Sequence, residues 1–324
     1  MPPNEQALAG HAIIAIGAST GGIDALSRLV QGLPADLPAA LFVVQHMDRS
    51  SPGHLPDILD RVGPLRAAAA VEGEPILSGR IYVARPDLHL LVKPGRIHLA
   101  RTARENRARP AVDPLFRSAA RSYGRAVVGV VLTGALDDGT GGLLAIKARG
   151  GVAIVQDPAD AVCADMPRSA LRQVAVDHCL PLAGIPPLLA RLVGPGSDFP
   201  AAIDGAPNGD NGQEDGESDP LEVSGLSCPS CHGSLWERKQ GERVRFQCRT
   251  GHAFSVESLL AQQDDDIESA LWSALRALQE SAATERRLAG MGDAGMALRH
   301  GENATTKEQQ AHLLRRVLLD GSAS

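Results

Sequence analysis

Four short, nearly unbroken apolar runs punctuate the first part of the chain: Ala12–Gly17, Ala40–Gln45, Ala126–Leu132 and Val152–Gln156. Each is too short to be a buried helix and lacks the alternation of a strand with one wet face. Such runs are the mark of parallel strands covered on both sides. Helical patterns at Gly22–Gln31, Asp113–Tyr123, Gly139–Arg149 and Ile185–Leu192 lie between or after them. Strands separated by helices predict an α/β fold, a doubly wound and mostly parallel sheet. The stretch Gly79–Arg101 has a different texture. There Ile81–Ala84, His89–Lys93 and Arg96–Ala100 alternate and turn at Pro94-Gly95, which predicts an antiparallel hairpin excursion.

The remaining chain divides by composition. Residues 1–193 carry the α/β pattern, and 194–223 read as a flexible acidic linker. From Gly194 to Glu222 there are eight acidic residues and no Lys or Arg. Residues 224–324 read as a small Cys/His module followed by a helical tail. In that tail Ile267, Leu271, Ala274, Leu275 and Leu278 share one stripe of a helix expected to pack on its own module, with dimerisation as the alternative. A further apolar pattern spans His312–Leu319.

Charge and hydropathy narrow the function. The net charge of -6 argues against a nucleic-acid footprint over the whole chain. The longest apolar runs are strand-sized, so no membrane insertion is expected. Met1–Gly10 lacks a basic segment followed by a long apolar one, which speaks against a signal peptide. Three of the five cysteines cluster with a histidine, as a metal site would and a disulfide set would not. Together these features predict a cytoplasmic protein.

Cys228-x2-Cys231, sixteen further residues, then Cys248-x3-His252 make two pairs of ligands. This spacing suits a tetrahedral structural Zn²⁺. Gly233–Leu235 and Arg243–Gln247 would form a small hairpin between the pairs, as in a zinc ribbon, and His232 is the substitute ligand. Four protein ligands close the coordination sphere, so the metal would be structural, and no catalytic cofactor is expected.

Three turns fall just beyond strand ends, where open α/β sheets keep their chemistry. They are Gly17-Ala18-Ser19-Thr20-Gly21-Gly22, Val43-Val44-Gln45-His46-Met47 and Leu132-Thr133-Gly134-Ala135-Leu136-Asp137-Asp138-Gly139. A serine hydroxyl needs a base, histidine is the natural one near neutral pH, and a carboxylate fixes its tautomer. A dinucleotide loop is disfavoured, because the glycines after Gly17 are Gly21 and Gly22 and the second strand ends in Gln45-His46 rather than an acid. The order Ser, His, Asp also departs from that of the α/β-hydrolase elbow. From spacing alone, a catalytic triad and a plain α/β binding domain stand level.

The same segments, with Ile81-Tyr82-Val83-Ala84-Arg85-Pro86-Asp87-Leu88-His89, Arg109-Pro110-Ala111-Val112-Asp113-Pro114-Leu115-Phe116 and Ala164-Asp165-Met166-Pro167-Arg168-Ser169-Ala170, resemble in order the catalytic domain of CheB-type protein-glutamate methylesterases. The resemblance covers roughly Ala12–Leu192. It implies an α/β fold with Ser19 as nucleophile, His46 as general base and Asp138 as orienting carboxylate, Asp137 being the alternative. It also implies an orienting role for Thr20 and an oxyanion role for the backbone of Ala135, where the family usually has Met. The implied activity is hydrolysis of glutamate γ-methyl esters on chemotaxis receptors or related signalling proteins, with glutamine deamidation as a second reaction. A vestigial scaffold and a small-molecule esterase are the competing functions. Family members often begin with a receiver domain, for which the residues before Ala12 leave no room. Constitutive activity or control by a partner is therefore expected. The extension from Cys228 onward resembles that of some receiver-less CheB-like proteins.

Other residues read as structural. Cys163 and Cys179 are expected to be buried and inert, and Asp113 to be a helix cap or pocket wall. His89 and His98 are expected at the surface or rim, and Arg109 and Arg168 as charged surface that can meet an acidic receptor helix.

Overall fold

The structure, a computed structural model, describes residues 12–194, 196–197, 199–200, 222–240, 243–291 and 293–320. Most of the acidic linker expected at 194–223 lies outside the described residues. The chain forms two compact units, Met1–Ser258 and Leu259–Ser324.

The first unit begins with β1 (Ala12–Ala18), α1 (Gly22–Gln31), β2 (Ala39–Gln45), α2 (Leu55–Val62), β3 (Arg66–Ala69) and β4 (Arg80–Val83). The hairpin β5 (His89–Lys93) and β6 (Arg96–Ala100) follows, then α3 (Val112–Tyr123), β7 (Val127–Val131), α4 (Thr140–Ala148) and β8 (Val152–Gln156). The α/β part ends with α5 (Asp165–Gln173), β9 (His178–Leu180) and α6 (Ile185–Val193). Seven strands make one sheet in the order β3-β4-β2-β1-β7-β8-β9, parallel throughout. This is the predicted α/β architecture.

Every residue of β1 and β2 is buried, because both faces of the sheet are covered. On one face Ile14, Ile16, Leu41 and Val43 meet Leu26 and Leu29 of α1, Leu59 of α2 and Leu189 of α6. On the other, Ile13, Phe42 and Val44 meet Leu115 and Phe116 of α3, Ile146 of α4 and the hairpin residues Leu90 and Ile97. Each fully buried Leu, Ile or Phe contributes roughly 1.5–3 kcal/mol.

The predicted hairpin exists as β5 and β6 alone, an antiparallel pair separate from the main sheet. Ile81–Ala84 does not join it. Ile81, Tyr82 and Val83 pair in parallel with both β2 and β3. The alternation misleads because Tyr82 is fully buried. Its hydroxyl accepts the Leu77 amide and donates to the Pro75 carbonyl, so the phenol costs nothing inside.

A second, antiparallel sheet joins β10 (Glu222–Ser227), β11 (Ser234–Gln240), β12 (Arg243–Cys248) and β13 (Ala253–Ser255). It contains the predicted hairpin as β11 and β12 and gains a strand on each side. Helix α7 (Val256–Ala289) follows directly. In the second unit the rest of α7 and α8 (Ala294–Asp320) are joined by ion pairs from Arg286 to Glu308 and from Lys307 to Glu285, and by a hydrogen bond between His300 and Glu285. Leu275, Ala282, Ala304 and Ala311 are buried there, whereas Ile267 of the predicted stripe is 57% exposed. Among the described residues, no helix is long and apolar enough to cross a membrane.

Candidate active site

The chain leaves β1 toward β2 on one side and later returns to β7 on the other. The carboxyl ends of β2, β1 and β7 are therefore neighbours, and β1 lies at the topological switch point. The ladder continues into the loops: His46 N–H donates to Ala18 O (3.0 Å), Leu132 N–H to Gly17 O (2.9 Å) and Ser19 N–H to Thr133 O (3.0 Å). Three sequence-distant turns are thereby tied together, and Ser19, His46, Ala135 and Asp138 line one open cleft of about 360 Å³.

The turn that presents Ser19 is made by glycine. Gly21 has φ 76 and forms the left-handed N-cap of α1, a conformation that L side chains rarely adopt. A side chain on Gly134 would lie 2.1 Å from Met166 Sδ and 2.8 Å from Ser19 Cβ, so this glycine lets the β7 loop close over the serine.

His46 and Asp138 are in contact, Nε2 to Oδ2 at 2.7 Å. Asp138 is 1% exposed yet richly bonded. It accepts the amides of Val112 (2.6 Å), Asp113 (3.1 Å) and its own neighbour Gly139 (2.9 Å), and Nδ2 of Asn106 (3.0 Å). Burial alone would raise its pKa. The bond to His46, the charge that ring carries when it is protonated and the amide donors outweigh burial and hold it at about 2. The carboxylate is ionised, so it accepts only, and the proton on His46 must sit on Nε2. Nδ1 is left as the basic nitrogen.

Asp137 points elsewhere. Its Oδ1 accepts the hydroxyl of Ser255 at 2.7 Å, and Arg243 stands 3.9 Å away. Burial, with smaller contributions from neighbouring carboxylates, pushes its pKa up to about 7.

The structure reveals partners that motif reading passed over. Gln45 gives Nε2 to the carbonyls of both Ser19 (2.9 Å) and His46 (3.0 Å), joining the two turns. Asp113 accepts the amides of Gly139 (3.1 Å) and Gly142 (2.6 Å), bracing the Asp138 loop from α3. Thr133 Oγ1 donates to the Thr20 carbonyl (2.8 Å) and accepts the Cys163 amide (2.8 Å). Gln45 and Asp113 lay inside the quoted motifs, but local spacing carries no sign of what they bond. Asn106 lay in no motif at all.

Of the remaining expectations, those for His89, Cys163, Cys179 and Arg109 change, and those for His98 and Arg168 hold. His89 is not a rim residue: it is 1% exposed, its Nε2 bonds Ala103 O and its Nδ1 accepts the Ala111 amide. Those main-chain partners satisfy both ring nitrogens and permit burial. His98 is partly exposed and pairs with Glu72. Cys179 is exposed and Cys163 half-buried, because the edge strand β9 and the loop before α5 are not covered. Arg109 is mostly covered and pairs with Asp87, whereas Arg168 is exposed. Thr20 is exposed and offers its carbonyl to Thr133.

The cysteines also converge. Ligand atoms of Cys228, Cys231, Cys248 and His252 all lie within 4.8 Å of one another. Sγ of Cys231 and Cys248 are 3.6 Å apart, and Nδ1 of His252 is 3.5 Å from Cys248 Sγ and 3.7 Å from Cys228 Sγ. A tetrahedron with metal–sulfur bonds of about 2.3 Å has edges of about 3.8 Å, so the set fits a tetrahedral metal. His232 stands outside it, exposed, with its amide on the Cys228 carbonyl.

An open parallel α/β sheet with a hydroxyl, an imidazole and a carboxylate in one switch-point cleft defines the class of fold and site. Residues 14–189 match the CheB methylesterase family model, and the chain belongs to the CheB methylesterase family. A Leptospira interrogans protein is 41% identical over 180 residues, which make up 55% of this chain and 93% of its own length. Protein-glutamate methylesterase/protein-glutamine glutaminase 5 of Anaeromyxobacter dehalogenans is 41% identical over 184 residues, 56% of this chain and 51% of its own length. The crystal structure of the Thermotoga maritima CheB methylesterase catalytic domain aligns with a TM-score of 0.55 at 35% identity, covering 56% of this chain and 99% of that one.

Proposed function

We propose that this chain hydrolyses glutamate γ-methyl esters on a chemoreceptor or related signalling protein. Ser19, His46 and Asp138 are its triad. The single observation that supports this most is the 2.7 Å contact between His46 Nε2 and a buried, ionised Asp138, in the cleft that Ser19 also lines. Ser19 Oγ attacks the ester carbonyl carbon as His46 Nδ1 takes its proton. The tetrahedral intermediate collapses, and His46 returns the proton to the departing methoxide as methanol. Water, deprotonated by the same nitrogen, then attacks the acyl-enzyme carbonyl and frees the glutamate and Ser19. The Ser19 amide is committed to Thr133, so Ala135, which lines the cleft, is the candidate for the oxyanion donor.

Glutamine deamidation is the second reading, supported by the relatives whose names carry both activities. It needs only ammonia as leaving group in place of methanol. The Cys/His cluster holds Zn²⁺ in this reading, and the family fold supplies the catalytic groups without a cofactor. The protein acts as a cytoplasmic enzyme on the cytoplasmic part of its receptor. Methanol release from methylated receptor by the full chain, abolished by Ser19→Ala, tests the function. Unchanged release by that variant would end it.

A further inference from the structure

The loop that carries Asn106 is not held by the α/β sheet alone. Asn106 and Arg107 have φ of 47 and 68, left-handed values that are costly for residues with a side chain. The loop's own closure is the pair of bonds between the main chains of Glu105 and Ala108. Further main-chain partners come from β13, the strand that begins immediately after the ligand His252. Ala253 N–H donates to Arg104 O (3.2 Å), and Asn106 N–H donates to Ala253 O (2.9 Å). Ser255 N–H donates to Asn106 Oδ1 (3.3 Å), and Arg245 of β12 pairs with Glu105. Glu105 is held at about 2, because Arg117 and Arg245 outweigh its burial.

Oriented in this way, Asn106 turns its Nδ2 inward. That one amide nitrogen donates to Asp138 Oδ1 (3.0 Å) and to Asp113 Oδ2 (3.1 Å), two buried carboxylates that would otherwise repel. An unbroken line of contacts runs from His252 through β13 and Asn106 to Asp138 and His46.

We propose that the Cys/His module is a clamp on the active site and that Asn106 is a positioning residue for Asp138, with metal at Cys228, Cys231, Cys248 and His252 holding the clamp shut. This rests on the triad reading above. A module this small has too little core to hold its strands without metal, so metal loss would free β13 and loosen the 104–108 loop. The enzyme would then turn over slowly while still binding its receptor.

The experiment uses the full chain and two readouts. Amide exchange in residues 104–108 is measured for wild type and for Cys228→Ser, together with kcat and KM for methanol release from methylated receptor. Cys228→Ser is expected to raise exchange in 104–108 at least tenfold, and to lower kcat at least tenfold with KM within twofold. Asn106→Ala should lower kcat similarly and move the His46 Nε2–H proton resonance, and the double variant should be no worse than the more damaging single one. Arg245→Ala keeps all four ligands and supplies the same readings should Cys228→Ser fail to fold. Faster exchange confined to 222–255, with kcat unchanged, would overturn the clamp. The exchange arm needs no substrate, so absence of methanol release from wild type would sink the triad reading separately.

Discussion

His46 presents Nε2, not Nδ1, to Asp138, at 2.7 Å. The orienting carboxylate thus sits on the outer ring nitrogen, and the nitrogen nearer the main chain is left for the serine proton. An ionised acceptor at Nε2 dictates the tautomer, and the loss of that acceptor would release it.

Asp138→Asn should therefore do more damage than its small change in shape suggests. The amide would donate to Nε2 and move the ring proton to Nδ1, where it blocks the base. Turnover is expected to fall on the order of 10⁴-fold, as for a mis-set tautomer in a triad. Steady-state methanol release gives the rate, and nitrogen-15 shifts of His46 report the tautomer.

Asp137→Asn should leave turnover within a few-fold of wild type, since Asp137 bonds Ser255 rather than His46. Its effect belongs to stability. Burial raises this carboxyl from 3.8 to about 7. The folded state therefore holds the proton more tightly than the unfolded one, and stability falls as pH rises from about 4 to about 7. Asparagine keeps an acceptor without that penalty. The variant should match wild type near pH 4 and exceed it at pH 8 by about 2–4 kcal/mol, read from denaturant curves at the two pH values.

Gly134→Ala should lower activity more than it disturbs the fold. The new methyl meets the flexible Met166 Sδ at 2.1 Å but also Ser19 Cβ at 2.8 Å. Overpacking costs about 1–3 kcal/mol, and the serine would be displaced. A fall in kcat of about tenfold or more is expected, since small misplacements of a reacting group are costly. Adding Met166→Ala would relieve the clash but leave a cavity at a fully buried side chain, at a cost of about 2–5 kcal/mol, so neither stability nor turnover should recover, as thermal melts and methanol assays on both variants would show.

Protein purified without chelator should contain one zinc per chain, and Cys248→Ser should lose it. Elemental analysis of the two proteins decides this. Full zinc content in Cys248→Ser would mean that the metal sits elsewhere.

The sequence by itself determined a good deal. The apolar runs placed β1, β2, β7 and β8, because a strand buried on both faces has no other composition. The turns at Ser19, His46 and Asp138 were legible, as was the spacing of Cys228, Cys231, Cys248 and His252. The short edge strands β3 and β9 were missed, because few of their residues are buried.

Only the tertiary structure decided which strand ends are neighbours. Local pattern records burial, not pairing, and His46 lies 92 residues from Asp138. For the same reason spacing could not separate Asp138 from Asp137 as partner of His46; the family resemblance preferred Asp138, and the three-dimensional contact supplies the physical reason. These adjacent residues look alike in sequence, yet one faces the imidazole and the other Ser255. Asn106 was invisible, since beside nearby Asp113 its partners come from two distant segments, the Asp138 loop and β13, that meet only in the folded chain.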